Sequence, residues 1–185
     1  MKIILGFIGP LASGKGTLAK YLGEKYHCRT YSFSTMLRDV LKRLYVESTR
    51  SNLQKISQVL RENFSQDIMS KVIAADVKND TNDLVVVDGV RRPTDITYLE
   101  TNPAFHLVYI TADQRWRWER LVKRNENPGD DKKTFADFAR DQEAEAETQI
   151  QTLGEQAPYA INNNGTFEEL YAQVEKILTK IKNDS

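Results

Sequence analysis

The chain has 185 residues, and its 26 basic side chains balance 26 acidic ones. This length predicts a single domain over residues 1–185, and the zero net charge argues against binding to nucleic acid or to a membrane surface. The single cysteine excludes an intramolecular disulfide and a cysteine-rich metal site, and the apolar segment 3–8 is too short for a signal peptide or a membrane span, so we expect a cytoplasmic protein.

Short apolar segments alternate with longer segments of helical periodicity. Strands are predicted at residues 2–8, 29–33, 84–87, 105–110 and 159–161. Helices are predicted at residues 15–26, 35–46, 113–125, 134–153 and from 167 onward, and a helical region is predicted at 51–79. Capping boxes are predicted at Ser51 with Gln54 and at Thr166 with Glu169. This alternation predicts an α/β fold with a mainly parallel sheet.

A glycine-rich segment, Gly9-Pro-Leu-Ala-Ser-Gly-Lys-Gly-Thr17, stands between the first predicted strand and the first predicted helix. In that context the pattern predicts a P-loop, whose glycines let backbone N–H groups approach phosphate and whose lysine reaches the outer phosphates. The residues expected to bind ATP are Gly9, Ala12, Ser13, Gly14, Lys15, Gly16 and Thr17. Because Gly16 directly follows the lysine, the Thr17 hydroxyl comes one position late, and we expect it to hold Mg²⁺ largely through water.

This loop variant resembles that of nucleoside monophosphate kinases, which usually ends Gly-Lys-Gly-Thr. The segment Ser34-Thr-Met-Leu-Arg38 is similar to one in adenylate kinases, and the resemblance implies that Arg38 grips the acceptor phosphate. The segment Asp88-Gly-Val-Arg91-Arg92 resembles Asp-Gly-Phe-Pro-Arg of the family. The resemblance implies that Arg91 or Arg92 binds the same phosphate, and it leaves open which of the two does so.

The segment Glu119-Arg120-Leu-Val-Lys-Arg124 resembles the Glu-Arg-x-x-x-Arg of the family. The resemblance implies that Arg120 lies by the donor base and that Arg124 faces the phosphates. Arg117, Arg120 and Arg124 share one arc of the predicted helix, and the alternative is a solvated basic surface.

Later segments are similar to deoxynucleoside monophosphate kinases and dephospho-CoA-kinase-like proteins: Arg140-Asp141, and Asn162 to Gly165 with Asn163 as a candidate for ATP binding. The resemblance implies a three-layer α/β/α P-loop sandwich with a five-stranded parallel sheet. It also implies a helical acceptor-binding region at 34–79 and a short lid at 125–140. Arg140 in that lid is a candidate catalytic residue, although a salt bridge to Asp137 or Glu143 would also explain it.

Two further residues are candidates for the site. Asp88 ends an apolar strand, where P-loop proteins usually keep an acid for Mg²⁺, and we expect it to act through water. Arg61 lies in the predicted acceptor region and is a candidate for binding the acceptor.

Arginine side chains bind phosphate oxygens well, so they favour an acceptor that already carries a phosphate. Such an acceptor also needs no strong base to act as the nucleophile. The sequence therefore predicts ATP-dependent phosphoryl transfer to a nucleoside or deoxynucleoside monophosphate, with Mg²⁺ as cofactor. We expect small nucleotides as partners, no nucleic acid or membrane, and a monomer or homodimer. Two alternatives stay open: a hydroxyl-directed kinase similar to dephospho-CoA kinase, with Asp39 or Asp88 as base, and a regulatory ATPase similar to adenylate kinase.

Overall fold

A computed structural model of the chain describes residues 1–125, 129–142 and 145–184. In these ranges one five-stranded parallel sheet forms in the order β2-β3-β1-β4-β5. The strands are β1 (Ile3–Ile8), β2 (Arg29–Ser32), β3 (Leu84–Val90), β4 (Phe105–Thr111) and β5 (Tyr159–Asn162). The helices are α1 (Lys15–Tyr26), α2 (Phe33–Arg43), α3 (Arg50–Asn63), α4 (Ile68–Asn79), α5 (Pro93–Ile96), α6 (Gln114–Arg124), α7 (Phe135–Asp141), α8 (Glu145–Glu155) and α9 (Phe167–Asn183).

The central strand β1 is buried at all six positions, since helices cover both faces of the sheet. On one face Leu5 and Phe7 pack with the apolar side chains of α1 and α9. On the other face Ile4 and Ile8 pack with those of α2, α4 and α8. The result is the three-layer α/β/α sandwich that the sequence predicts. No helix in the described ranges is both long and apolar enough to cross a membrane.

The predicted helical region at 51–79 is confirmed and consists of two helices, α3 and α4, with a break after Asn63. The predicted capping box at Ser51 is wrong. Thr49 precedes α3 with an extended backbone, and its Oγ1 accepts a hydrogen bond from the Asn52 N–H at 3.2 Å. Ser51 already lies inside the first turn, so the cap belongs two residues earlier.

The predicted helix at 134–153 corresponds to α7 and α8, and α7 ends at Asp141 with Gln142 as its C-cap. The second predicted capping box is confirmed. Oγ1 of Thr166 accepts from the Glu169 N–H at 3.2 Å, and Oε2 of Glu169 accepts from the Thr166 N–H at 2.8 Å.

Strand β3 extends past the predicted end at residue 87, so that Asp88 lies inside the strand. Phe7 pairs with Asp88 and Ile8 pairs with Val90, which leaves Gly89 out of the register as a bulge. Gly89 has a φ of +88°, a conformation that favours glycine. A bulge at this point redirects the chain as it leaves the sheet.

Candidate functional site

The candidate site lies at the carboxyl edge of the sheet, where open α/β folds bind their ligands. Strand β1 ends at Ile8 and leads into the loop at residues 9–14, after which α1 begins at Lys15. Asp88 of β3 lies beside β1 at this edge, and Ser32 at the end of β2 pairs with it. The parallel register therefore brings the glycine-rich loop, Asp88 and the start of α2 to one edge.

Packing explains two of the loop glycines. A side chain at Gly9 would clash with the Ile110 carbonyl oxygen on β4. Gly14 has a φ of +111°, and a side chain there would clash with the amide nitrogen of Asn163. Gly16 differs from both, because nothing lies within 4 Å of the place that its Cβ would take. The loop therefore packs tightly against the sheet at two points and is open at the first turn of α1.

Neighbouring side chains hold the loop backbone in place. Nδ2 of Asn163 donates to the Ser13 carbonyl oxygen at 2.8 Å, and Asn163 is only 5% exposed. Nη1 of Arg117 donates to the Leu11 carbonyl oxygen at 3.3 Å. Asn163 was expected to bind ATP, and the structure places its amide on the backbone of the phosphate loop. The side chain thus supports the surface that would receive phosphate.

The Lys15 ammonium lies over the loop, where Nζ donates to the carbonyl oxygens of Gly9 at 2.6 Å and Pro10 at 3.0 Å. Its charge also acts on Asp88. Burial raises the pKa of the Asp88 carboxyl above its ordinary value, while the positive charges of Lys15 and Arg91 lower it. The charges of the loop lysine and of an arginine after β3 therefore both lower the pKa of the same carboxyl group.

Three polar atoms near the loop are buried and have no hydrogen-bond partner within the described ranges: Ser13 Oγ, Asp88 Oδ1 and Arg120 Nη1. Buried polar atoms in native proteins are normally paired, so an unpaired set at one edge is typical of a site for a polar ligand. No group of three or more His, Cys, Asp or Glu side chains that could hold a metal occurs in the part of the chain described. The expectation that Asp88 and Thr17 hold Mg²⁺ through water stays a prediction.

Helix α6 places its arginines in different surroundings. Arg120 is half-buried, its Nη2 donates to the Asn163 carbonyl oxygen at 2.8 Å, and burial lowers its pKa. Arg124 is exposed in the last turn. Arg117 is 7% exposed and also donates to the Gln142 side chain, at 2.5 Å. Arg117 contacts both Leu11 of the loop and Gln142 after α7, so it joins structural elements. Arg120, on the same arc of α6, lies beside Asn163, which contacts the loop.

Three of the arginines that were expected to bind an acceptor are exposed. Arg38 lies on α2, and Arg91 and Arg92 follow β3 directly. Since α2 follows β2 and β2 is the neighbour of β3 in the sheet, the three arginines belong to neighbouring parts of the fold and are open to solvent.

The expectation that Arg61 binds the acceptor requires a correction. Arg61 is 9% exposed, and its Nη2 donates to Oδ1 of Asp95 at 2.8 Å. Its Nη1 donates to the Gln66 carbonyl oxygen at 2.5 Å. Because the guanidinium is enclosed and engaged by the protein, it does not face an open cleft.

The predicted lid at 125–140 is described in part, since residues 126–128 lie outside the described ranges. The rest packs against α6: Nε1 of Trp118 donates to the Lys133 carbonyl oxygen at 2.8 Å, and Phe138 is fully buried. Arg140 is exposed, with its Nη1 at 3.4 Å from Oδ1 of Asp137. The structure therefore contains the salt bridge that the sequence offered as the alternative for Arg140.

Asp95 has a role that the sequence analysis did not recognise. It is 3% exposed, and its Oδ2 accepts from the backbone N–H groups of Arg91 at 3.0 Å and Arg92 at 3.1 Å. A proline followed two residues later by an aspartate is typical of a helix start, so Pro93 and Asp95 could have predicted α5. The contact with Arg61 could not have been predicted, because it joins residues 34 positions apart.

Comparison with known proteins finds a family model and related sequences. A family model described as an AAA domain matches residues 8–138, which include the loop, Asp88 and α6. The chain is 29% identical over 184 residues to a UPF0200 protein of Thermococcus kodakarensis, with 97% of this chain and 96% of that protein covered. A UPF0200 protein of Pyrococcus furiosus is 28% identical over 184 residues, with 97% of each covered.

Solved structures share the whole fold. The crystal structure of TT1252 from Thermus thermophilus matches with a TM-score of 0.63 and 16% identity, and 97% of each chain is covered. A shikimate kinase from Bacteroides thetaiotaomicron matches with a TM-score of 0.64 and 13% identity over 97% of this chain and 98% of that one. These likenesses support a P-loop kinase-like fold and do not single out nucleoside monophosphate kinases.

Proposed function

This chain belongs to the AAA domain family, and we propose that it transfers the terminal phosphoryl group of ATP to a nucleoside or deoxynucleoside monophosphate. The proposal depends above all on one observation: the parallel register brings the glycine-rich loop after β1, the carboxylate of Asp88 on β3 and the segment with Arg91 that follows β3 to the same edge of the sheet. A donor phosphate on the loop and an acceptor phosphate on the arginines would thus meet beside that carboxylate.

The reaction needs positioning and charge neutralisation more than covalent chemistry. An oxygen of the acceptor phosphate attacks the terminal phosphorus of ATP, the bond to the bridging oxygen breaks, and its electron pair leaves with ADP. In this proposal Arg38, Arg91 and Arg92 orient the acceptor, while Lys15 and Arg124 balance charge on the transferred group. Mg²⁺, held through water by Thr17 and Asp88, would add positive charge at the phosphates when bound.

Arg140 has a second possible role in this scheme. It is 74% exposed at its side chain, and its contact with Asp137 is an exposed ion pair of the kind that contributes about 0–1 kcal/mol. So weak a contact can be exchanged for a phosphate oxygen, and we propose that Arg140 makes that exchange when ATP binds.

The end of β2 supports a phosphate acceptor over a hydroxyl acceptor. A hydroxyl nucleophile needs a base, yet residues 29–38 contain no carboxylate and offer Ser32, Ser34 and Thr35 at this point. Oγ of Ser32 lies 2.8 Å from Oγ of Ser34, so these hydroxyls form a polar cluster where a base would stand. The buried, unpartnered Oδ1 of Asp88 is the observation that favours a hydroxyl-directed kinase as the second candidate.

A substrate panel separates the candidates. The protein is incubated with Mg-ATP and each common nucleoside and deoxynucleoside monophosphate, and with dephospho-CoA, and the products are separated by ion-exchange chromatography. We expect a diphosphate product with at least one monophosphate and no product from Lys15→Ala. Product from dephospho-CoA alone would instead support the hydroxyl-directed kinase. ATP hydrolysis that requires a macromolecular partner would support a regulatory ATPase.

The acceptor assignment has its own test. Arg38→Ala should raise the KM for the monophosphate about tenfold or more, since a charged hydrogen bond to phosphate contributes about 1.5–3 kcal/mol. The KM for ATP should stay near the wild-type value. The matched control is Arg43→Ala, because Arg43 is an exposed arginine on the same helix but on another side of it. An equal loss for both substrates would show that Arg38 does not bind the acceptor.

A further inference from the structure

A buried ion pair lies behind the two arginines that follow β3. Arg61 on α3 is 9% exposed and Asp95 on α5 is 3% exposed, with 2.8 Å between Nη2 of Arg61 and Oδ1 of Asp95. A second contact, from Nη1 of Arg61 to the Gln66 carbonyl oxygen at 2.5 Å, fixes the plane of the guanidinium. Buried ion pairs often stabilise a fold no more than apolar side chains of similar size would.

The second carboxylate oxygen of Asp95 contacts the segment that follows β3 at the candidate site. Oδ2 accepts from the backbone N–H groups of Arg91 at 3.0 Å and Arg92 at 3.1 Å. These N–H groups stand at the start of α5, where a helix cannot pair them internally. One carboxylate thus holds a guanidinium from the helical region at 34–79 with one oxygen, and the backbone of both arginines with the other.

The strand before this anchor is fixed as far as Val90, which pairs with Ile8 and is fully buried. Arg91 and Arg92 are the first two residues beyond the strand. The side chains of Arg91 and Arg92 are exposed and receive little orientation from packing. Long side chains hold a ligand at a defined place only when supporting residues fix their backbone. In this segment Asp95 provides that support, and Arg61 fixes Asp95.

We propose that Arg61 and Asp95 are positioning residues, which aim Arg91 and Arg92 at the acceptor phosphate by holding their backbone N–H groups. This role rests on the proposed function, because it assumes that an acceptor phosphate binds there. It also gives Arg61 a part in acceptor binding without a contact to the acceptor, and it links α3 to the segment after β3.

The test uses two conservative variants of the full chain. Asp95→Asn keeps the shape but presents an amide nitrogen either to Arg61 or to the backbone N–H groups of Arg91 and Arg92. Arg61→Lys keeps the charge but loses the two-pronged contact. Both should raise the KM for the monophosphate about tenfold or more, since small misplacements of orienting groups can cost up to a hundredfold. The KM for ATP should stay within about twofold of the wild type, because the phosphate loop is held by other residues.

Ser70→Ala is the matched control. Ser70 is fully buried on α4, and its Oγ accepts from the Tyr98 N–H at 3.1 Å, so the variant loses a buried hydrogen bond nearby without touching Arg91 or Arg92. It should lower the unfolding temperature and leave both KM values unchanged. Amide hydrogen exchange at Arg91 and Arg92 should be faster in Asp95→Asn than in the wild type and unchanged in Ser70→Ala.

The outcomes separate this inference from the function on which it rests. If the wild type phosphorylates no monophosphate, the proposed function is wrong and the positioning role falls with it. If the wild type is active and both variants keep its acceptor KM, only the positioning role is wrong. A parallel rise of the KM for ATP, or the same change in Ser70→Ala, would show a general loss of structure and would also overturn the inference. If Asp95→Asn does not fold, Arg61→Lys decides between these results.

Discussion

Gly14→Ala is expected to destabilise the protein strongly, whereas Gly16→Ala two residues later is not. Gly14 has a φ of +111°, and its new Cβ would clash with Nδ2 of Asn163. A side chain in left-handed backbone costs about 1–2 kcal/mol. Displacing Asn163 would leave the buried Ser13 carbonyl oxygen without its hydrogen bond, at a cost of about 1–3 kcal/mol. The free energy of unfolding should therefore fall by roughly 2–5 kcal/mol.

For a domain of this size 1 kcal/mol lowers the unfolding temperature by about 2–4 °C, so Gly14→Ala should unfold on the order of 10 °C below the wild type. Gly16→Ala should match the wild type or slightly exceed it, because its Cβ meets nothing within 4 Å and alanine favours helix. Circular dichroism against temperature measures both variants. Titration with a fluorescent ATP analogue should show weaker binding to Gly14→Ala.

A double-mutant cycle with Asn163→Ala tests the cause. Removing the Asn163 amide removes the clash, so Gly14→Ala should cost only the backbone strain in that background. The two changes should then couple by about 1–3 kcal/mol. Additive losses would refute the proposed clash, and equal unfolding temperatures for Gly14→Ala and Gly16→Ala would refute the account of the loop as a whole.

Two further predictions concern stability. Burial raises the pKa of Asp88 above its ordinary value of 3.8. Between pH 3.8 and the raised pKa, the folded chain therefore binds a proton more tightly than the unfolded chain does. The stability of the wild type falls as the pH rises through this range. Asp88→Asn should therefore unfold at a higher temperature than the wild type at pH 7 but not at pH 3.5, and it should lose phosphoryl transfer. An equal difference in unfolding temperature at both pH values would show that the buried charge of Asp88 is not the cause. Thr166→Ala should lower the free energy of unfolding by about 1 kcal/mol through loss of the cap of α9. Thr179→Ala, inside the same helix, is the control and should be near neutral in urea unfolding; a loss as large as that of Thr166→Ala would show that the cap is not the cause.

Local sequence was enough for those features that local chemistry decides. The glycine-rich loop between a buried strand and a helix predicted the start of the fold, because backbone approach to phosphate needs glycine and a helix N-terminus. The apolar run at 84–87 predicted a strand covered on both faces, since a strand in a parallel sheet between two layers of helices is buried on both sides. The cap at Thr166 was predicted because its partner is three residues away.

Only the tertiary structure decided the purpose of the buried polar side chains. Arg61 and Arg38 are both helical arginines in the predicted acceptor region, yet one is enclosed with Asp95 and the other is exposed. Asn163 holds a carbonyl oxygen 150 positions before it in the chain. Contacts between residues so far apart in the sequence depend on which strand ends the sheet brings together. The residue types within one segment do not predict them. The sequence by itself therefore predicted the loop on which we propose that phosphate binds, and the fold determined which charged side chains remain exposed.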